Sequence, residues 1–311
     1  MPELPEVEVL VRHLAPLLKG QVIHSVQVRR AKVLKPTSVA RFTSALQGAR
    51  FTSISRRGKY LLFTLQPSRR RAPLTLLGHL GMTGRMYLAR TGMPLPKHAA
   101  VVLNLARQKL IYEDTRYFGR FTLDTSPLAR LGPEPLDSQF TVAGFAHNLS
   151  RSAQAIKVKL LDQSIVAGVG NIYASEALFR ARISPCCPSR KLDLGQARRL
   201  RRAIRQVLTE AIACGSTLPL NYGGDRKRDR LFYFGRTADA PDFYSERLQV
   251  YDRADKPCNC CGTLVKRLIQ AARSTFYCPR CQPRSSVIRK IHGQETKKVQ
   301  PPKQIDASWV A

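Results

Sequence analysis

Four cysteines set the tightest limit on how this chain folds. They fall as Cys258-x2-Cys261-x16-Cys278-x2-Cys281, two knuckles whose spacer is long enough to form a hairpin and return the second pair to the first. Four soft thiolates at this spacing suit one tetrahedral Zn2+ and leave no open coordination position, so the metal is structural. A disulfide pair is the competing reading, disfavoured in a cytosolic chain. Cys260 sits inside the first knuckle as a bystander, and Cys186, Cys187 and Cys214 look unpaired. Lys266, Arg267 and Arg273 lie between the knuckles, so the module displays cations. Zinc hairpins of this kind read nucleic acid, but they also bind proteins.

Charge narrows the choice. The chain has 52 Lys and Arg against 21 Asp and Glu, a formal net charge of +31. Such an excess calls for a polyanion, and nucleic acid leads because bound phosphates release counterions. An anionic membrane surface would need an amphipathic anchor, and none is evident. No run approaches the ~18 apolar residues that span a bilayer. Hydrophobic residues make up 43%, enough for sizeable cores, which excludes a disordered basic protein. The opening segment carries Glu3, Glu6 and Glu8 where a signal peptide needs positive charge. The expectation is a soluble, cytoplasmic, nucleoid-associated monomer without membrane contact, built from about two domains.

Periodicity divides the chain. Val7, Leu10, Val11, Leu14 and Leu18 recur at helical spacing and Gly20 stops them, so residues 1–20 predict a helix. Short β-type runs follow: Val22-Ile23, Tyr60–Phe63, Leu74–Leu77, Ala100–Leu103 and Lys109–Tyr112. Residues 1–125 therefore read as a β-rich unit led by a helix. Pro127, Pro133 and Pro135 mark 126–152 as a connection, and 153–215 is helical in period. The clearest helix starts near Asp193, with Gln196 as capping-box partner, and ends at Gly215. Its Arg198, Arg199, Arg201, Arg202 and Arg205 read equally as a solvated face or as phosphate contacts. In 216–247 basic residues interleave with Tyr222, Phe232, Tyr233 and Phe234, which suits single strands or extruded bases; a plain loop with an aromatic cluster is the alternative. The zinc module occupies 248–282, and 283–311 reads as a disordered basic tail.

The first residues carry chemistry of their own. Removal of Met1 exposes Pro2 as a secondary amine. An α-amino group titrates near ~7.7–8.0, so a useful fraction is neutral at cellular pH. Such an amine can attack a sugar C1′ and form an iminium, with Glu3 and Glu6 at hand for proton transfer. Most chains that start Met-Pro use it for nothing of the kind.

The segment Met1–Glu8 resembles the opening of formamidopyrimidine-DNA glycosylases. So do Arg57-Gly58-Lys59-Tyr60-Leu61-Leu62, His79-Leu80-Gly81-Met82-Thr83-Gly84 and Asp114-Thr115-Arg116-Tyr117-Phe118-Gly119. Gly168–Leu178 resembles the turn of that family's helix–two-turn–helix, and Leu248–Tyr251 with the four cysteines completes the series. The motifs keep family order over about residues 1–282. Leu4 after Glu3 separates the chain from the endonuclease VIII branch, which usually begins Pro-Glu-Gly.

The resemblance implies an α+β fold. An N-terminal β-sandwich with a leading catalytic helix would face a C-terminal helix–two-turn–helix domain ending in a β-hairpin zinc finger. It implies base-excision repair of damaged double-stranded DNA, with removal of 8-oxoguanine and formamidopyrimidines and β,δ-elimination at the abasic site. Pro2 would form the Schiff base, Glu3 would be the principal acid/base group and Glu6 its support. Lys59 would donate the proton for β-elimination, and Arg273 would act from the zinc hairpin. Met82, Arg116 and Phe118 would fill the gap left by an everted base. His79, His98, Lys157, Asn171 and Tyr251 would lie near phosphates. Ser152, beside Arg151, stands where the family usually has a basic residue. Residues 218–247 depart from the family's loop over the everted base, which leaves open a different lesion range such as oxidised pyrimidines. A non-catalytic damaged-DNA binder and a zinc-dependent RNA- or protein-binding module are the remaining alternatives.

Overall fold

A computed structural model describes residues 2–68, 72–215 and 247–283. The first part runs α1 (Leu4–Leu18), β1 (Ser25–Val28), α2 (Val39–Leu46), β2 (Arg50–Arg57), β3 (Tyr60–Gln66), β4 (Leu74–His79), β5 (Gly84–Arg90), β6 (Ala99–Asn104), β7 (Gln108–Asp114) and β8 (Arg120–Thr122). The second runs α3 (Val142–Ser150), α4 (Ile156–Leu160), α5 (Asn171–Arg180), α6 (Leu194–Ala213), then the hairpin β9 (Lys266–Gln270) and β10 (Arg273–Tyr277).

The strands form two antiparallel four-stranded sheets, in the orders β1-β6-β7-β5 and β2-β3-β4-β8. In β3, Leu61, Phe63 and Leu65 alternate inward, as a half-buried strand must. Between the sheets they meet Met86, Leu88, Leu110, Tyr112 and Phe121. The expected α+β sandwich with a leading helix is the observed architecture. One expected strand differs: Val22 makes only an isolated bridge to Arg50, while Ile23 gives its N–H to Ala49. The ladder proper begins at Ser25, opposite Asn104.

Helix α1 belongs to two cores. Val7, Leu10, Val11, Leu14 and Leu18 enter the sandwich core. Leu4 instead enters the helical core, with Ile156, Val169, Tyr173, Leu200 and Ile204. Each fully buried aliphatic side chain contributes about 1.5–3 kcal/mol, so α1 ties the two halves together through its own first turn.

Residues expected as a connection contain α3. Thr141 caps it by accepting the Gly144 N–H at 3.1 Å, and Phe145 and Leu149 are its buried side chains. Two apolar contacts in nine residues leave little period to read in sequence. Helix α6 starts at Asp193 with the expected Gln196 capping box. Of its five arginines, Arg201 donates to the Phe140 carbonyl and Arg205 to those of Pro135 and Asp137. These two clasp the connecting chain, whereas Arg198, Arg199 and Arg202 are exposed. The basic-aromatic segment lies outside the described residues except for Arg247, as does the tail beyond Pro283. Among the described residues no helix is long and apolar enough to cross a membrane.

Candidate functional site

The first turn of α1 faces the first turn of α5. Glu3 is the N-cap of α1 and its N–H donates to the Glu6 carboxylate at 2.7 Å. The Glu3 carboxylate in turn accepts the N–H of Ile172 at 2.9 Å and of Tyr173 at 3.5 Å. It thus occupies the positive end of α5, where unpaired amides and the helix dipole favour an anion. Tyr173 closes the arrangement by donating its hydroxyl to Glu6 at 2.6 Å. Both carboxylates are 2% exposed, and Pro2 beside them is buried. Burial pushes the Glu3 carboxyl above its ordinary range, against the pull of Lys59 and the two amides. A Cβ at position 170 would overlap the Glu3 carboxylate, so Gly170 is required by the close approach.

Lys59 is the second residue of the turn between β2 and β3 and is 7% exposed. Burial lowers its pKa, the Glu3 charge opposes that, and Arg273 adds to it. The turn is fixed by Glu134, which accepts Gly58 N–H at 2.5 Å, Arg56 at 2.7 Å and Arg57 at 3.0 Å. Lys59 and Glu3 are therefore opposite charges held close, each destabilised by burial and rescued by the other. A buried acid with its pKa raised beside a buried base with its pKa lowered is a pair suited to proton transfer.

Lys157 is fully buried, and its ammonium donates to Asn171 Oδ1 at 2.6 Å. Burial lowers its pKa to about 8, with Glu3 raising it and Arg273 lowering it further. Asn171 passes the contact on, donating Nδ2 to the Ser274 carbonyl of β10 at 2.9 Å, and its side chain also bonds Tyr251. Lys157, Asn171 and Tyr251, expected separately near phosphates, form one network with the zinc hairpin. Arg273 opens β10 as an exposed residue, and its charge is felt at both buried lysines. Behind Tyr251, the buried Glu176 accepts the N–H groups of Gln249, Val250 and Tyr251, at 2.9, 2.9 and 2.8 Å. This staple fastens the zinc module to α5.

The four expected cysteines converge. Their sulfurs all lie within 4.8 Å of one another, with Cys258 and Cys281 at 4.0 Å and Cys261 and Cys278 at 3.4 Å. A tetrahedron with Zn–S bonds of about 2.3 Å has sulfurs about 3.8 Å apart, so the donor set fits one Zn2+. The Cys260 and Cys281 N–H groups point at Cys258 and Cys278 sulfurs at 3.4 Å. Cys260 itself is exposed and outside the cluster.

On the sandwich, Met82, Arg116 and Phe118 come together on two loops. Met82 is 38% and Phe118 50% exposed. The Arg116 guanidinium lies 3.8 Å from the Met82 sulfur and 4.7 Å from the Phe118 ring centre. Lys32 approaches the other way, 5.9 Å from that ring. Beneath them is Asp114, fully buried, whose carboxylate receives donors from both loops. His98 joins this group through Tyr117, 3.5 Å from its hydroxyl. His79 lies at the start of the first loop, accepting the Gly81 N–H and packing on Tyr60. Burial, with Lys59 and Arg120, holds its imidazole down to about 4, so it is neutral at physiological pH.

Arg151 and Ser152 lie apart from both groups. Arg151 is the exposed C-cap of α3. The Ser152 carbonyl accepts from Arg190 N–H and the Ser189 hydroxyl. Sequence reasoning missed Asp114, Glu134 and Glu176 as organisers. Each was an ordinary acid in its stretch; its one available signal was scarcity, an acid retained in a chain with more than twice as many cations.

Comparisons with known proteins span about nine-tenths of the chain. Residues 1–121 match the formamidopyrimidine-DNA glycosylase N-terminal domain, 131–219 the H2TH domain of the same proteins, and 255–284 the zinc finger found in FPG and IleRS. The chain is 42% identical over 289 residues to the formamidopyrimidine-DNA glycosylase of Thermus thermophilus, covering 91% of this chain and 98% of the relative. The Symbiobacterium thermophilum enzyme is 41% identical over 292 residues, covering 91% and 90%. Lactococcus lactis Fpg bound to DNA with an abasic site superposes with a TM-score of 0.80 at 32% identity, over 90% of this chain and 99% of that one. A MutM complex with DNA containing carbocyclic 8-oxo-G gives 0.79 at 32%, over 91% and 100%.

Proposed function

The chain belongs to the formamidopyrimidine-DNA glycosylase family, and from that premise we propose how its residues carry out the family's reaction. It is a base-excision-repair DNA glycosylase and AP lyase acting on oxidised purines, 8-oxoguanine and formamidopyrimidines among them. The observation that carries the reading is the seating of the Glu3 carboxylate between Pro2, Lys59 and the amides of Ile172 and Tyr173.

Duplex DNA lies in the cleft between sandwich and helical units. Asn171, Lys157 and Tyr251 hold phosphate from the helical side, with Arg273 reaching in from the zinc hairpin. His79 and His98 from the sandwich, and the Arg151–Ser152 turn from the helical side, contribute further backbone contacts. The damaged nucleotide leaves the stack, Met82 and Phe118 take its place, and Arg116 hydrogen-bonds the cytosine left without a partner. After removal of Met1, the neutral Pro2 amine attacks C1′; the C1′–base bond breaks, its electron pair leaves with the base, which takes up a proton as the amine gives one up, and opening of the C1′–O4′ bond, with a proton delivered to O4′, leaves the iminium. Glu3 moves protons at the sugar and Glu6 holds the N-terminal turn. Loss of the C2′ proton then breaks the C3′–oxygen bond, with Lys59 supplying a proton, and a second elimination releases the 5′ side. The four cysteines hold one Zn2+ that supplies structure alone.

We divide the chain functionally at 1–125, 126–152, 153–215, 216–247, 248–282 and 283–311. The protein works as a cytoplasmic, nucleoid-associated monomer. The test is borohydride trapping on duplexes containing 8-oxoguanine opposite cytosine or an abasic site. Both yield a covalent adduct, and Pro2→Gly abolishes it. An adduct that persists in Pro2→Gly moves the nucleophile elsewhere; an adduct on abasic DNA alone assigns another base to the 218–247 segment.

A further inference from the structure

We propose that Asp114 is a positioning residue that sets the Met82–Arg116–Phe118 wedge in place before DNA is bound, with Thr83 as its partner. The proposal rests on the wedge reading above. The three working side chains are exposed, so burial of the side chains themselves does not fix them; the backbone beneath must. Asp114, the last residue of β7, supplies that fixing. One carboxylate oxygen accepts the Thr83 hydroxyl at 2.6 Å and the Arg116 N–H at 3.1 Å. The other accepts the Gly119 N–H at 2.9 Å and faces the Tyr112 hydroxyl at 3.5 Å. Thr83 also accepts the Arg116 N–H at 3.3 Å, so it bridges the loop of Met82 to the loop of Arg116 and Phe118.

The loops then interlock. A Cβ on Gly81, at φ +61°, would stand 2.6 Å from the Gly119 nitrogen. Tyr117 between the two wedge residues adopts φ 52°, a left-handed turn that non-glycine residues hold only under constraint. Asn cannot replace the acid at this point. Its amide has one acceptor oxygen: with the NH2 toward Gly119 that buried N–H loses its acceptor, and with the NH2 toward Arg116 that N–H keeps only the longer bond to Thr83 and meets a donor in place of the carboxylate oxygen. Asp114 therefore governs how the wedge meets the duplex and the partner base, while the amine chemistry at Pro2 is independent of it.

The experiment is single-turnover kinetics on three duplexes: 8-oxoguanine opposite cytosine, 8-oxoguanine opposite adenine, and a preformed abasic site. Asp114→Asn and Thr83→Val lower excision opposite cytosine about 10- to 100-fold, the scale of a 1 Å misplacement. They shrink the preference for cytosine over adenine, and abasic-site cleavage changes by less than about threefold. Thr83→Ser restores both. Thermal melts confirm folding, and the Thr83 pair carries the test if Asp114→Asn does not fold. Arg116→Ala separates the two readings. If it erases the cytosine preference while Asp114→Asn and Thr83→Val keep it, the positioning role is wrong and the wedge stands. Equal losses on all three duplexes also overturn the positioning role. If Arg116→Ala itself keeps the preference, the wedge reading fails and the proposal with it.

Discussion

At Glu3 the groups proposed to react are themselves buried, whereas at the proposed wedge the side chains stand in solvent and only the acid beneath them is buried. Glu3 is 2% exposed and its neighbour Lys59 is 7%; Met82 and Phe118 are 38% and 50% exposed over an Asp114 with no exposure at all. Both regions are nevertheless built the same way: a carboxylate in low dielectric collects backbone N–H groups from a segment distant in sequence or from an adjoining loop. Glu134 at the Lys59 turn and Glu176 behind Tyr251 repeat the device. In a protein with so few acids, these are internal fasteners, and the cations are left to face the polyanion. Chemistry needs shifted proton affinities, hence burial; filling a gap in DNA needs surface, hence exposure.

The comparison breaks most sharply at Glu3. Glu3→Gln keeps much of the shape but removes the charge, and excision in single-turnover assays falls by about 10³-fold or more. A loss below tenfold would mean that burial at α5 serves the fold alone. Glu176→Ala leaves the buried Val250 N–H and the part-buried Gln249 and Tyr251 N–H groups without their acceptor and costs about 3 kcal/mol. It shows as a lowered melting temperature and faster zinc transfer to a chelator, with the sandwich unaffected in hydrogen exchange.

His79 sharpens the comparison through pH. Its folded imidazole is held down to about 4, while the unfolded chain takes up that proton near 6.5. Stability is therefore full above about 6.5 and is lost as pH falls toward 4, by about 3 kcal/mol. His79→Gln flattens this limb in melts taken across pH 4–7; an unchanged slope would assign it to other groups. The smallest effect is expected at the surface. Arg180 and Glu210 form a two-bond pair at 2.6 and 2.7 Å, yet their side chains are 36% and 49% exposed. Arg180→Ala shifts stability by only about 0.5 kcal/mol in denaturant unfolding. A loss of several kcal/mol would show that burial is not what separates the fasteners from ordinary pairs.

Much of this molecule is written in local sequence. The α1 stripe, the Asp193–Gln196 cap and the two cysteine knuckles depend on neighbours within one or a few turns, so spacing alone reveals them. Motif context singled out Pro2, Glu3 and Lys59, and Met82, Arg116 and Phe118; the structure sets Glu3 and Lys59 in one buried cluster and gathers the other three on adjoining loops. Residues 142–150 were not legible, because α3 contributes only Phe145 and Leu149 to the core.

The sequence by itself determined the zinc knuckles, the helix-led β-rich half, the basic character and the family motifs that single out Pro2, Glu3 and Lys59. Only the tertiary structure decided that Glu3 caps a helix 168 positions away, beginning at Asn171. It alone joined Lys157, Asn171 and Tyr251 through the zinc hairpin and put Asp114 under the wedge. The reason is physical: a carboxylate's role is set by which backbone amides the fold brings to it, and those amides belong to every residue alike and leave no mark in side-chain identity.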